Sequence, residues 1–179
     1  MLQTARLELI ATTLQLARAE QKGVKSLAEA LNTTIPASWP PPLNDEGSQR
    51  WVYNQLERDP NLAGWTMWYF VLRTGSARQL IGNGGFKGAH KNGSVEIGYS
   101  ILAEHQSNGY ATEAARVLIA WAFAHPEIDR VAAETLPELK ASLKVMRNCG
   151  MTYVGKGEPE QGMETAHYEL TREGWKGSH

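Results

Sequence analysis

A single cysteine, Cys149, occurs in the 179 residues. It excludes an intrachain disulfide and any multi-cysteine metal site, and it makes the cytoplasm the expected address. None of the five histidines forms an i, i+4 pair or a His-Glu-x-x-His motif, so no metal is expected. A surplus of charge is missing too: Lys plus Arg number 18 against 19 Asp plus Glu, a formal net charge of -1. That balance disfavours a broad polyanion-binding face, and with it nucleic-acid or anionic-membrane partners. No apolar run approaches the roughly 20 residues of a membrane span. The opening Met1–Ile10 lacks the charged, apolar, small-residue order of a signal peptide. What is present is ordinary globular composition, 42% hydrophobic and 21% charged, enough for one well-filled core and one domain over residues 1–179.

Periodicity predicts a strand over Leu7–Ala11, helix over Leu14–Leu31 broken near Gly23, and a helix over Glu46–Arg58 stopped by Asp59-Pro60. Strands follow at Trp65–Arg73, Gln79–Gly85 and Val95–Leu102, with the turn-forming dipeptide Asn92-Gly93 before the last. Ala111–Ala124 carries Ala111, Ala114, Ala115, Leu118 and Ala122 on one helical face. Arg130–Thr135 reads as a strand. Glu138–Cys149 reads as a helix opened by a Thr135/Glu138 capping box with Pro137 in its first turn. Strands at Tyr153–Gly155 and Ala166–Leu170 complete one α+β domain around a single sheet. Pro36–Leu43, with three consecutive prolines, is extended and lies inside the domain.

Two glycine-rich stretches mimic nucleotide loops and fail on spacing. Gly82–Gly88 breaks the G-x-G-x-x-G pattern, and its glycines mark close backbone approach in a strand. Gly150–Gly157 follows a helix instead of opening one and lacks the final Ser or Thr. Cys149, at a helix C-terminus, reads as a small core residue.

The chemistry concentrates where the strand Val95–Leu102 ends, a polar turn follows and the strongest helix begins. Backbone N–H groups of such a turn, with the positive end of the helix dipole, favour a phosphate. Gly109 would let the chain approach the anion and Ala111 keeps the first turn slim. The same residues serve equally as an ordinary helix start, capped by Asn108 with Gly109 as punctuation. Glu96 alternates with Val95, Ile97, Tyr99 and Ile101, so it projects from the opposite face of its strand. There it would serve as a proton acceptor for an amine, or equally as a solvated carboxylate or salt-bridge partner.

Gln106-Ser107-Asn108-Gly109-Tyr110-Ala111 resembles the Q/R-x-x-G-x-G/A loop of the GNAT superfamily of acetyl-CoA-dependent N-acetyltransferases. Thr4–Leu9 resembles the T-x-R-L-x-L opening of its ribosomal-protein N-terminal acetyltransferase branch. Leu80-Ile81-Gly82 with Gly85-Phe86, Glu96-Ile97-Gly98-Tyr99, and Arg130–Thr135 with Ser142 and Cys149-Gly150-Met151 resemble later pieces in the same order. The resemblance implies a mixed, roughly seven-stranded sheet splayed into a V and flanked by helices. Acetyl-CoA would enter the gap, its pantetheine against the backbone of Ile101, Leu102 and Ala103. Its pyrophosphate would lie on Gln106, Ser107, Asn108, Gly109, Tyr110, Ala111 and Thr112, and a backbone N–H near Ile101 would polarise the thioester. Residues 1–75 would form the acceptor-side half, 76–157 the acetyl-CoA core, and 158–179 a C-terminal strand and tail. The family's pantetheine-binding Asn is Leu139 here, and its Tyr general acid is Met146. Ser142, one helical turn back, is the candidate acid, and Glu96 the candidate base. Trp39, in the proline-rich loop, is the candidate wall of an acceptor pocket, while Asp45-Glu46 would engage an amine or start a helix.

The implied activity is transfer of an acetyl group to a primary amine, of a small molecule or a protein N-terminus, by direct attack in a ternary complex. The partner would be that amine acceptor, and the resemblance also admits a homodimer. Leu139 and Met146 support an alternative, an acyl-CoA-binding module with weak or no catalysis. A nucleotide-binding or interaction domain with a fortuitous turn is the third reading.

Overall fold

The computed structural model describes residues 1–42, 44–159 and 162–176. Leu43 of the proline-rich segment and the tail residues 177–179 lie outside these. Eight strands, β1 (Leu2–Gln3), β2 (Leu7–Ala11), β3 (Met67–Thr74), β4 (Ala77–Phe86), β5 (Ser94–Ile101), β6 (Arg130–Thr135), β7 (Thr152–Lys156) and β8 (Ala166–Thr171), form one mixed sheet in the order β1-β2-β3-β4-β5-β6-β8-β7. The two-residue β1 accounts for the strand beyond the expected seven. All neighbours are antiparallel except β5 and β6.

That parallel pair holds only over Ser94–Glu96 against Arg130–Ala132. From Ile97 to Ile101, β5 stays paired with β4 alone. The sheet therefore opens between β5 and β6, as expected.

Alternation sorts the side chains onto two faces. Leu9, Trp68, Phe70, Ile81, Ile97 and Val131 pack under α4 (Tyr110–Phe123) and α5 (Lys140–Asn148). Leu80, Tyr69 and Val71 pack under α1 (Leu14–Lys22), α2 (Val24–Leu31) and α3 (Glu46–Arg58). Leu118 of α4 is fully buried, a contribution of about 1.5–3 kcal/mol for such a side chain.

Local signals shape the connections. Asn92 and Gly93 both adopt positive φ, and Lys91 and Ser94 exchange backbone hydrogen bonds across them, giving a two-residue hairpin. Asp45 caps α3, its Oδ1 accepting from the Ser48 amide at 2.8 Å. Those bonds hold its carboxyl below the ordinary value, so of its two expected uses the helix start is the one formed. The glycines of β4 stand where a side chain would not fit: a Cβ on Gly84 would lie 2.6 Å from the Gly98 carbonyl oxygen.

The capping box at α5 does not form. Thr135 is spent on pairing β6 with Ala166 of β8, and the helix starts at Lys140 behind Leu139, with no side-chain cap. The short α6 (Arg172–Lys176) adds a final turn.

Candidate active site

Hydrogen-bond phase decides which backbone groups of β5 face the opening. Lys87 N–H donates to Glu96 O at 3.0 Å and Leu102 N–H donates to Ile81 O at 2.9 Å. The even-numbered residues of β5 thus bond toward β4, and the alternation turns the N–H groups of Tyr99 and Ile101 toward the gap. The Ile101 carbonyl is held by the Gln106 side-chain amide at 3.0 Å. Leu102 has both backbone groups engaged, its carbonyl accepting from His105 N–H. Its N–H is therefore turned to β4 and not offered to a pantetheine arm, unlike those of Tyr99 and Ile101.

At the strand's end Ala103–His105 make a single 3-10 turn, and the loop 106–109 leads into α4. Ser107 and Gly109 both adopt positive φ, 63° and 81°. The N-cap residue is Gly109, and no side chain caps the helix. Asn108, the alternative cap, points its amide backward, donating to Gln106 O at 2.9 Å and His105 O at 3.2 Å. The first amides of α4, at Tyr110, Ala111 and Thr112, are left for an external acceptor. Conformation requires Gly109, since a Cβ there would meet only Arg6 Nη2, at 3.6 Å.

Arg6 clamps this loop, a link invisible in sequence. Its Nη1 donates to Asn108 O at 3.0 Å, its Nη2 pairs with Glu113 Oε2 at 2.7 Å, and its guanidinium lies 4.4 Å from the Tyr110 ring centre. Thr4 Oγ1 and the Arg6 amide also donate to Glu113. Burial pushes the Glu113 carboxyl up, but these bonds and the Arg6 charge outweigh it and hold the group below its ordinary value. The one acidic side chain in the first turn of α4 is thereby neutralised beside the anion-seeking amides. A depression of about 600 Å³, lined by Arg6, Gly109, Glu113 and Arg116 among others, borders the loop without reaching Glu96, Tyr99 or Ser142.

On the α4/α5 face, Tyr99 spans the opening. Its hydroxyl donates to Ser142 O at 3.2 Å and lies 3.5 Å from Ser142 Oγ. Burial raises the phenol to about 12, with Ser142 opposing and Cys149 adding to the shift. Met146 is buried in the core and Leu139 is half exposed at the start of α5. Cys149 is buried, its thiol raised to about 11 by desolvation, in keeping with an unreactive core residue.

On the opposite face, Glu96 forms an ion pair with Lys87, so the salt-bridge alternative for this carboxylate is realised. Next along the strand, Gly98 faces open space, with nothing within 4 Å of where a Cβ would stand. Across the opening, Glu134 of β6 accepts from Thr165 Oγ1 at 3.0 Å and faces His167 Nδ1 at 2.9 Å, while His167 Nε2 faces Glu169 Oε1 at 3.1 Å. Arg130 closes the row on Glu169. Carboxylates only accept, so both contacts of His167 are satisfied only by an imidazolium. Burial pulls its pKa down, but the bonds and charges of Glu134 and Glu169 outweigh it and raise it above 6.5.

The resulting stability is fully present below about 6.5, the unfolded value, and is lost as pH rises through the raised folded value. Thermal melts across pH 5 to 9 should therefore show a wild-type advantage over His167→Gln that shrinks as pH rises through that window. A gap constant with pH would contradict the assignment.

Trp39 is not an exposed wall. It is 8% exposed and packs 6.3 Å from the ring of Tyr69, whose hydroxyl donates to the buried Glu20 at 2.7 Å. Ser38 beside it bonds Glu104, tying the proline-rich loop to the turn after β5. Among the described residues no group of three or more His, Cys, Asp or Glu is placed to hold a metal ion, and no helix is long and apolar enough to cross a membrane.

The sheet parts between two parallel strands, with the uncapped start of α4 beside the open end of the gap and the Glu96 carboxylate at its closed end. The chain belongs to the GNAT acetyltransferase family: residues 13–152 match the Acetyltransferase (GNAT) domain. It is 33% identical over 88 residues, 45% of this chain and 37% of the relative, to the FsC-acetyl coenzyme A-N(2)-transacetylase of Aspergillus fumigatus. The matches cover only 34% to 45% of the curated relatives' lengths. The fold is shared with the microcin C7 self-immunity acetyltransferase MccE, solved with acetyl-CoA and AMP (TM-score 0.65, 19% identity, 94% of this chain and 93% of that one). It is shared equally with the ribosomal-protein-S5-alanine acetyltransferase of Vibrio fischeri (TM-score 0.64, 16% identity, 97% of each).

Proposed function

We propose that this chain transfers an acetyl group from acetyl-CoA to a primary amine by direct attack in a ternary complex. One juxtaposition carries the reading: free amides at the start of α4 and on the gap side of β5 lead to a floor at Gly98 beside Glu96. The donor set fits the ligand, since the pyrophosphate needs the amides of 107–112 and the pantetheine amides need the open edge at Tyr99 and Ile101.

When bound, acetyl-CoA supplies an acetyl thioester. The loop residues Ser107 to Thr112 fix its anionic end, and the Tyr99 or Ile101 N–H polarises the carbonyl. Glu96 takes the proton of the incoming ammonium, directly or through one water, because a protonated amine has no lone pair with which to attack. To do so the acceptor displaces the Lys87 ammonium, exchanging like for like on an exposed carboxylate. Tyr99, protonated at neutral pH, with Ser142 as its hydrogen-bond partner, holds a proton on the side where the thiolate leaves. The buried Met146 takes no part, and the Tyr99–Ser142 pair stands in for the acid missing there.

Residues 1–75 would shape the acceptor side, under α1–α3, with a small-molecule amine or a protein N-terminus as acceptor and the cytoplasm as the setting. The ordered motifs at Thr4–Leu9, Glu96–Tyr99 and Gln106–Ala111 support a kinship with the ribosomal-protein N-terminal acetyltransferases. A second reading, binding without transfer, draws on Met146 and on the apolar Leu139 at the start of α5.

Gly98→Val tests where the acceptor enters. A β-branched residue suits a strand and its Cβ meets nothing within 4 Å here, so the fold and acetyl-CoA affinity, read by melting and calorimetry, should hold. Its methyl groups occupy the floor, and kcat/KM for the amine should fall about 100-fold, near 2.7 kcal/mol. Unchanged amine kinetics would move the acceptor elsewhere.

A further inference from the structure

Lys87 is the residue that the reading above leaves in an odd place. Its amide bonds the Glu96 carbonyl, so the two are direct cross-strand neighbours on one face, and its ammonium rests on the Glu96 carboxylate. Glu134, across the opening, adds a second negative charge that the Lys87 charge reaches. A primary amine of the chain itself thus occupies the position assigned to the acceptor, at the closed end of the gap where β5 and β6 part. Its side chain is 67% exposed against 29% for Glu96, so the stem is free to swing over the open space at Gly98.

We infer that Lys87 is an acetylation site of the chain itself, modified in cis by its own acetyl-CoA; the inference rests on the proposed transferase reading. Glu96 takes a proton from the Lys87 ammonium, and the freed Nζ lone pair forms a bond to the thioester carbonyl carbon. The carbon–sulfur bond breaks, the sulfur leaves with the electron pair of that bond and takes up the second proton shed by the nitrogen, and the products are Nε-acetyl-lysine, CoA thiol and the proton held by Glu96. No further co-reactant is needed. Charge is lost at Lys87, and with it the ion pair that covers Glu96.

The test incubates the purified chain with acetyl-CoA and no added amine, then reads intact mass and peptide maps over time. Label is expected at Lys87 at least about tenfold faster than at exposed lysines away from the gap, such as Lys25, because a tethered amine has a high effective concentration. The rate constant should not change with protein concentration, and the label should vanish in Lys87→Arg and in urea-unfolded chain and fall steeply in Glu96→Gln. Calorimetry with acetyl-CoA runs in parallel. If acetyl-CoA binds and added amines are acetylated but Lys87 is not labelled above the unfolded control, this inference is overturned and the transferase reading stands. If acetyl-CoA does not bind, the transferase reading fails and the inference falls with it.

Discussion

Exchanging Glu96 for Gln lowers turnover on any amine by about 10²–10⁴-fold, the usual worth of a positioned proton acceptor, while acetyl-CoA affinity stays at the wild-type value. The carboxylate lies on the face of β5 opposite Tyr99 and α5, so it touches nothing that would hold the donor. Gln keeps the shape and loses only the proton affinity. The lost ion pair with Lys87 is an exposed one, worth about 0–1 kcal/mol, so the melting temperature should hardly move. Wild-type turnover in Glu96→Gln would remove this residue from the chemistry and leave it a salt-bridge partner only.

Gly109→Asp separates binding from stability in the opposite way. Asp is among the better helix caps and among the few residues that tolerate a left-handed φ, and a side chain there meets only the Arg6 guanidinium. The helix start, uncapped in the native chain, gains a carboxylate near its amides, while the left-handed φ of 81° strains any side chain, so the melting temperature should fall only modestly. The same carboxylate would occupy the place proposed for the pyrophosphate and repel it. Acetyl-CoA affinity should drop about 100-fold or more, near 2.7 kcal/mol, by calorimetry. Unaltered affinity would show that the donor's phosphates bind away from this helix.

What the sequence revealed was what local rules decide. The Asn92-Gly93 hairpin, the Asp45 cap and the apolar stripe of α4 each depend on a few neighbouring residues, and they formed as read. The mixed sheet and its opening beside β5 followed from the ordered motifs.

Contacts made across the fold were hidden. Arg6 and Glu113 lie 107 residues apart, and the Glu134–His167–Glu169 row exists only in the register of β6 with β8. Tyr99 read as one more core-facing residue because its phase matched Ile97 and Ile101; its partner Ser142 is supplied by the placement of α5. Trp39 read as the wall of an acceptor pocket, yet it is drawn inward against the buried Tyr69. Leu102 looked available because a strand end exposes backbone, but its N–H is taken by Ile81 of β4 and its carbonyl by His105 of the turn that follows.

The central claim is that one cleft both holds acetyl-CoA and delivers its acetyl group to an amine. The most direct measurement follows CoA thiol release and amide formation together, by thiol titration and mass spectrometry, across a panel of primary amines and N-terminal peptides. The account predicts equal amounts of thiol and acetylated amine for at least one acceptor, with both lost in Glu96→Gln. Tight acetyl-CoA binding with no thiol released to any amine would contradict it and leave a binding module in its place.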